Sequence, residues 1–136
     1  MIIDAKNLIV GRVAAFVAKK ALLGEEISIV NCRYSIMTGK KDHLISEYKR
    51  KLGMGTWAHG PFYYRVSYKM VRRIIRGMLP YKNARGRDAF ERIKCYDEVP
   101  EELKNEKMET VKGADVSKLP NNAYMPVYKI IELSRK

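Results

Sequence analysis

Four cations fall at helical spacing in "YKMVRRIIRGMLPYKNARGR", Tyr68 to Arg87. At 100° per residue Lys69, Arg72, Arg73 and Arg76 share one face, while Val71, Ile74, Ile75 and Met78 follow i, i+3, i+4, i+7 along the other. A guanidinium is planar, permanently charged and weakly hydrated, so it binds two oxygens of one phosphate where a surface is being desolvated. Arginines on a helix whose opposite stripe fixes it to a core are therefore suited to holding phosphate. Gly77 and Pro80 predict the end of this helix. Lys82, Arg85 and Arg87 carry the positive surface into the next segment, where glycine permits close backbone approach. With the stripe inward and the cations outward, reversing Arg72, Arg73 and Arg76 to glutamate should spare the fold, and Ile74→Ala should cost roughly 2–5 kcal/mol. The alternative is an ordinary solvated basic face.

Two further places carry the same chemistry. "TGKKDH" puts Lys40 and Lys41 where a helix begins, a location that favours phosphate. It is not a P-loop, because Tyr34 stands where the first glycine would be and Lys41 where Ser or Thr is required. "KRKLGMGTWAHGPFYYR" offers Lys49, Arg50 and Lys51, followed by Trp57 and His59 in a glycine-rich loop. Aromatic and basic residues on a loop stack on unpaired bases and wedge into folded RNA. The alternative for Trp57 and for Phe62 to Tyr64 is packing of the loop onto the domain. Arg12, on the first predicted helix, and Arg65 are further candidates for the same surface.

The overall charge agrees with these clusters. Twenty-seven Lys and Arg face fifteen Asp and Glu, a net of +12 with a pI near 9.8. Such an excess repels itself in a compact state, which points to an acidic partner: nucleic acid first, an anionic membrane surface second. The surplus is local. Residues 65–94 hold ten Lys and Arg against Asp88 and Glu91, whereas residues 97–109 hold six acids against Lys104 and Lys107. A membrane reading is weaker, since the outward face of the basic helix has no apolar anchor. No apolar run approaches the ~20 residues that span a bilayer. Asp4, Lys6 and Arg12 come too early for a signal-peptide core, so the expected setting is the cytosol.

Catalytic, metal and cofactor chemistry find little support. His43 and His59 lack neighbours at ligand spacing, and Cys32 and Cys95 form neither a metal motif nor a disulfide framework. Cys32, after the apolar run "ISIVN", is expected to be a small buried residue. The first turn, "DAKNLIVGR", lacks the glycines of a dinucleotide site, and Asp4 there is expected to serve a cap or turn. A nucleotide-dependent enzyme remains the alternative from another class.

The elements that must position these residues begin with "MIID" as a strand, a helix with Val10, Val13, Ala14, Val17 and Ala21 on one stripe, and "EISIVN" as a buried strand. This is a βαβ unit, so an α/β sheet with packed helices is the expected architecture, in one domain over residues 1–136. A helix follows Gly39 with Leu44, Ile45, Tyr48 and Leu52 on one side, then the glycine-rich loop and the basic helix. "ARGRDAFERI" reads as a short helix and "KCYD" as a strand. Residues 101–136 are a polar, irregular segment and a C-terminal helix with Pro126 near its start.

The block "IRGMLPYKNARGRDAFERIKCYDEVP", with "IDAKNLIVGRVAAFVAKKALLG", "IVNC", "TGKK" and "GPFYYR" in order before it, resembles large-subunit ribosomal protein thirteen in its archaeal and eukaryotic form. The likeness covers residues 1–100 best, and the bacterial Y-R-H-S-G pattern is absent. The resemblance implies a three-layer α/β/α domain around a small, mainly parallel sheet. It also implies a structural component, without catalytic role, that binds large-subunit ribosomal RNA and acts in subunit assembly. Such a component sits beside neighbouring ribosomal proteins as one copy per ribosome. The family block falls on Arg76 to Pro80 and on Arg85-Gly86, residues that the helical wheel and the basic continuation also select.

Overall fold

The computed structural model describes residues 1–135; Lys136, the end of the expected C-terminal segment, lies outside the described residues. The chain opens with strand β1 (Ile2–Asp4), helix α1 (Val10–Leu22) and strand β2 (Ile27–Val30). β1 and β2 pair in parallel with Ile3 opposite Ile29, as expected of a βαβ unit. α1 buries the whole expected stripe and Ala18 besides. Lys19 and Lys20 sit in its last turn, where the helix dipole favours cations, and Gly24 follows at φ +101°. Strand β4 (Ile93–Cys95) pairs in parallel with the other edge of β2, giving the order β1-β2-β4. Ile27, Ile29 and Ile93 are fully enclosed, because a parallel sheet covered on both faces takes continuous β-branched runs.

Around this sheet lie α2 (Lys41–Leu52), α3 (Ser67–Gly77), α4 (Ala84–Glu91) and α5 (Val127–Ser134). α1 packs against α3 and α4, and α2 against α5, in a three-layer α/β/α arrangement. An unexpected antiparallel pair, β3 (Ile36–Thr38) with β5 (Tyr124–Pro126), joins the approach to α2 to the approach to α5. Between Pro100 and β5 the chain is irregular apart from two short 3₁₀ turns, yet it is pinned to the core. The Asp4 and Ile9 amides donate to the Glu109 and Ala114 carbonyls at 3.0 and 2.7 Å, and Val111 and Ala114 are buried.

The buried stripe of α3 keeps the expected side of the wheel but is displaced toward the N-terminus. Met70, Val71 and Ile75 are buried, with Leu79 beyond the helix end; Ile74 is only partly buried and Met78, the C-cap, is exposed. The helix stops at Gly77, so Met78 no longer follows the helical stripe. Ile74 also lines an open cavity, so trimming it removes less enclosed contact than a sealed site would lose. Ile74→Ala is therefore expected to cost roughly 1–2 kcal/mol, below the 2–5 typical of full burial. Urea unfolding reads this directly, and a loss above about 3 kcal/mol would place Ile74 in the sealed core after all.

Candidate nucleic-acid interface

The basic helix is positioned from both ends. Its N-cap, Val66, has no side chain able to cap it. Asp97, two residues beyond β4, accepts from the Tyr68 amide at 2.8 Å and supplies the missing partner. Burial pushes the Asp97 carboxyl up, opposed by that amide and by Arg33. At the other end Leu79 enters the core, and the Pro80–Tyr81 backbone lies against Gly86 of α4. The close approach expected of this glycine is thus to its own chain. It fixes Lys82, Arg85 and Arg87, all exposed, relative to α3.

None of Lys69, Arg72, Arg73, Arg76, Lys82, Arg85 and Arg87 makes an ion pair among the described residues. The arginines of α3 nevertheless do more than point into solvent. The Arg72 guanidinium lies over Phe90 at 4.4 Å, Arg73 over Tyr63 at 4.2 Å and Arg76 over Tyr81 at 5.1 Å. All three are half-buried, whereas Lys69 is exposed, its ammonium 5.7 Å from the Tyr64 ring. The expectation that a triple reversal would spare the fold is corrected here, because a carboxylate over these ring faces would replace attraction by repulsion. Arg72 Nε is buried with no acceptor among the described residues. Lys69, Arg72, Arg73 and Arg76, with Tyr64, Tyr68 and Phe90, line a cleft of about 270 Å³ that contains no carboxylate. Stacking fixes the guanidinium planes, so an oxygen-rich anion meets donors that are already ordered.

Three side chains strap the aromatic loop to the helices. Tyr48 of α2 donates its hydroxyl to the Tyr64 carbonyl, Arg73 of α3 donates to the Phe62 carbonyl, and Arg135 donates to the Arg65 carbonyl. Tyr63 is consequently half-buried under Arg73. Beyond the straps the side chains at the loop tip are exposed, Trp57 by 93% and His59 with it, and Phe62 and Arg65, held by their carbonyls, are exposed as well. Packing onto the domain therefore describes Tyr63 and does not describe Trp57. The loop's hold on Arg73 through Tyr63 has no sequence periodicity that would have revealed it.

The remaining candidates divide. Lys40 precedes α2 and Lys41 opens it, both exposed. Lys49 is exposed, but Arg50 and Lys51 approach Glu47 at 2.8 and 3.4 Å. Arg50, then Lys51, holds the Glu47 carboxyl down at about 2. Since that lies below the ordinary value of 4.5, the pairing stabilises fully above about pH 4.5 and is lost as pH falls toward about 2. The stability difference between wild type and Glu47→Gln should close over that range in thermal unfolding, and a constant difference would show that the pairs contribute nothing. Arg12 donates to the Gly113 carbonyl at 2.6 Å and ties α1 to the polar segment. Asp4 accepts from the Lys6 amide and from Asn31 Nδ2, the turn role expected of it. Cys32 and Cys95 are buried free thiols.

The profile of the ribosomal protein L13 family matches residues 1–102. The large ribosomal subunit protein uL13 of Methanococcoides burtonii is 42% identical over 126 residues, covering 93% of this chain and 91% of its own length. The protein of that name from Methanopyrus kandleri is 41% identical, covering 96% and 84% respectively. In Methanococcus maripaludis it is 47% identical, covering 74% and 77%. The matched residues contain β1 through β4 and the RGMLP and RG segments that set α3 against α4, and with relatives aligned along nearly its whole length the chain belongs to the ribosomal protein L13 family.

Proposed function

We propose that this chain binds large-subunit ribosomal RNA as one domain over residues 1–136 and supports assembly of the large subunit. Family membership makes it a non-enzymatic, structural constituent of that subunit, located in the ribosome in the cytoplasm. One observation carries the RNA reading. Seven cations on α3, the following turn and α4 make no ion pairs among the described residues, although residues 97–109 hold six acids. Phosphate neutralises such a surface, and ring-stacked guanidiniums bind it at low cost in side-chain entropy. Lys40, Lys41 and Lys49 supply a second group, while Trp57 and His59 occupy a tip suited to insertion between unpaired bases. Recognition then rests on RNA shape, because A-form grooves hide base edges and phosphate contacts carry no sequence.

The test is to tag the protein in its native host, wash ribosomes in high salt and follow its sedimentation. Retention at one copy per large subunit is the expected result. Release into the soluble fraction would assign the basic face to a transient or off-ribosome interaction.

A further inference from the structure

A second cavity, of about 260 Å³, adjoins the cationic cleft and shares Tyr64 and Arg73 with it. Its floor is apolar, from Met37, Leu44, Ile74 and Ile130, and Tyr63 and Tyr64 supply aromatic wall. The rim is polar: His43, the Lys51–Glu47 pair and, on the side of the cleft, Arg73, unpaired among the described residues. A hollow that is greasy and aromatic inside, and cationic on the side where it meets a phosphate-binding cleft, has the two chemistries of a nucleotide in the right order.

Resting on the RNA reading above, we infer that this pair of cavities captures one unpaired nucleotide of the ribosomal RNA. Its base lies in the apolar hollow against Tyr63 and Tyr64. Its phosphate lies in the cleft, on the lining cations Lys69, Arg72 and Arg76. Arg73 forms the divide between the two. It is fixed there by the Phe62 carbonyl and the Tyr63 ring, so the partition exists before RNA arrives. An apolar side chain of a neighbouring protein would fit the hollow, but it would leave the adjoining cations unused. A base with its phosphate uses both. The capture gives one position of local specificity to an interface otherwise built on backbone contacts.

The test uses the full chain and protein-free large-subunit ribosomal RNA from the same host. Base-specific chemical probing and zero-length ultraviolet cross-linking, mapped by mass spectrometry, should find one unpaired base that is protected on binding and joined to Tyr63 or Tyr64. Leu44→Trp fills the hollow without replacing a cation. It should abolish that protection and weaken binding roughly 10-fold, within the range for loss of one stacked base, with the slope of log K against log salt preserved. Met37→Phe serves the same purpose if the tryptophan variant does not fold. Salt-dependent binding without any base protected by or cross-linked to these tyrosines overturns the inference and leaves the RNA reading intact. So does a Leu44→Trp protein that binds naked RNA normally but is lost from assembled subunits, which would assign the hollow to a protein side chain. Absence of salt-dependent binding by wild type overturns both.

Discussion

Gly86→Ala should cost more than about 3 kcal/mol or abolish folding, whereas Gly77→Ala, in the same family block, should be neutral or stabilise by up to about 1 kcal/mol. Both glycines are helical, and on propensity alone both alanines would help by about 1 kcal/mol. Their surroundings decide otherwise. A Cβ on Gly77 meets nothing within 4 Å. A Cβ on Gly86 would stand 2.0 Å from the Pro80 carbonyl oxygen, 2.3 Å from its carbon and 2.8 Å from the Tyr81 nitrogen. All three are backbone atoms, so no side-chain rotation relieves the overlap, and α4 must part from the Pro80 turn. That movement would open the core around Leu79 and Ala89, 5% and 0% exposed, and separate Arg85 and Arg87 from the arginines of α3. Urea unfolding and thermal melts check it. At roughly 2–5 °C per kcal/mol, the melting temperature of Gly86→Ala should fall by at least about 6 °C, and an alanine variant as stable as wild type would remove this contact as the reason for the glycine.

The contrast also marks what could be read before the fold was seen. The βαβ start was legible because β2 is a β-branched run and α1 an uninterrupted apolar stripe, patterns fixed by local geometry. Strands β3 and β5 were not, because each is three residues long and its partner lies about two-thirds of the chain away. Periodicity located the cations of α3 but missed that Met70 rather than Met78 completes the buried stripe, because the helix ends at Gly77 and Leu79 continues the core past it. It also missed the ring beneath each arginine. Phe90 comes from α4, Tyr63 from the aromatic loop and Tyr81 from the turn, so the platform exists only after three segments meet. A wheel gives a side chain's direction, not what waits there. The same limit applies to Arg50 and Lys51, whose nearby Glu47 was visible in the sequence at helical spacing and takes part of their charge out of play.

That division decides which residues give the cleanest test of RNA binding. Replacing Lys69, Lys82, Arg85 and Arg87 together by glutamine should lower the slope of log K against log salt by roughly 3 and weaken binding to large-subunit ribosomal RNA by about 10³-fold at about 0.1 M salt. Each phosphate contact contributes about 0.7–0.9 to the slope, and the four side chains are exposed without an ion pair among the described residues. Their loss should leave the unfolding midpoint nearly unchanged, since exposed substitutions away from packed contacts usually fall within about 0.5 kcal/mol. Arg72→Gln and Arg73→Gln should behave differently, losing stability along with affinity, because each guanidinium is also held on a ring. Titrations of both sets at several salt concentrations, beside unfolding curves, separate charge from packing. If the quadruple variant kept the wild-type slope, the face formed by α3 and α4 would lie away from the RNA, and the phosphate contacts would have to come from Lys40 and from Lys41 and Lys49 of α2.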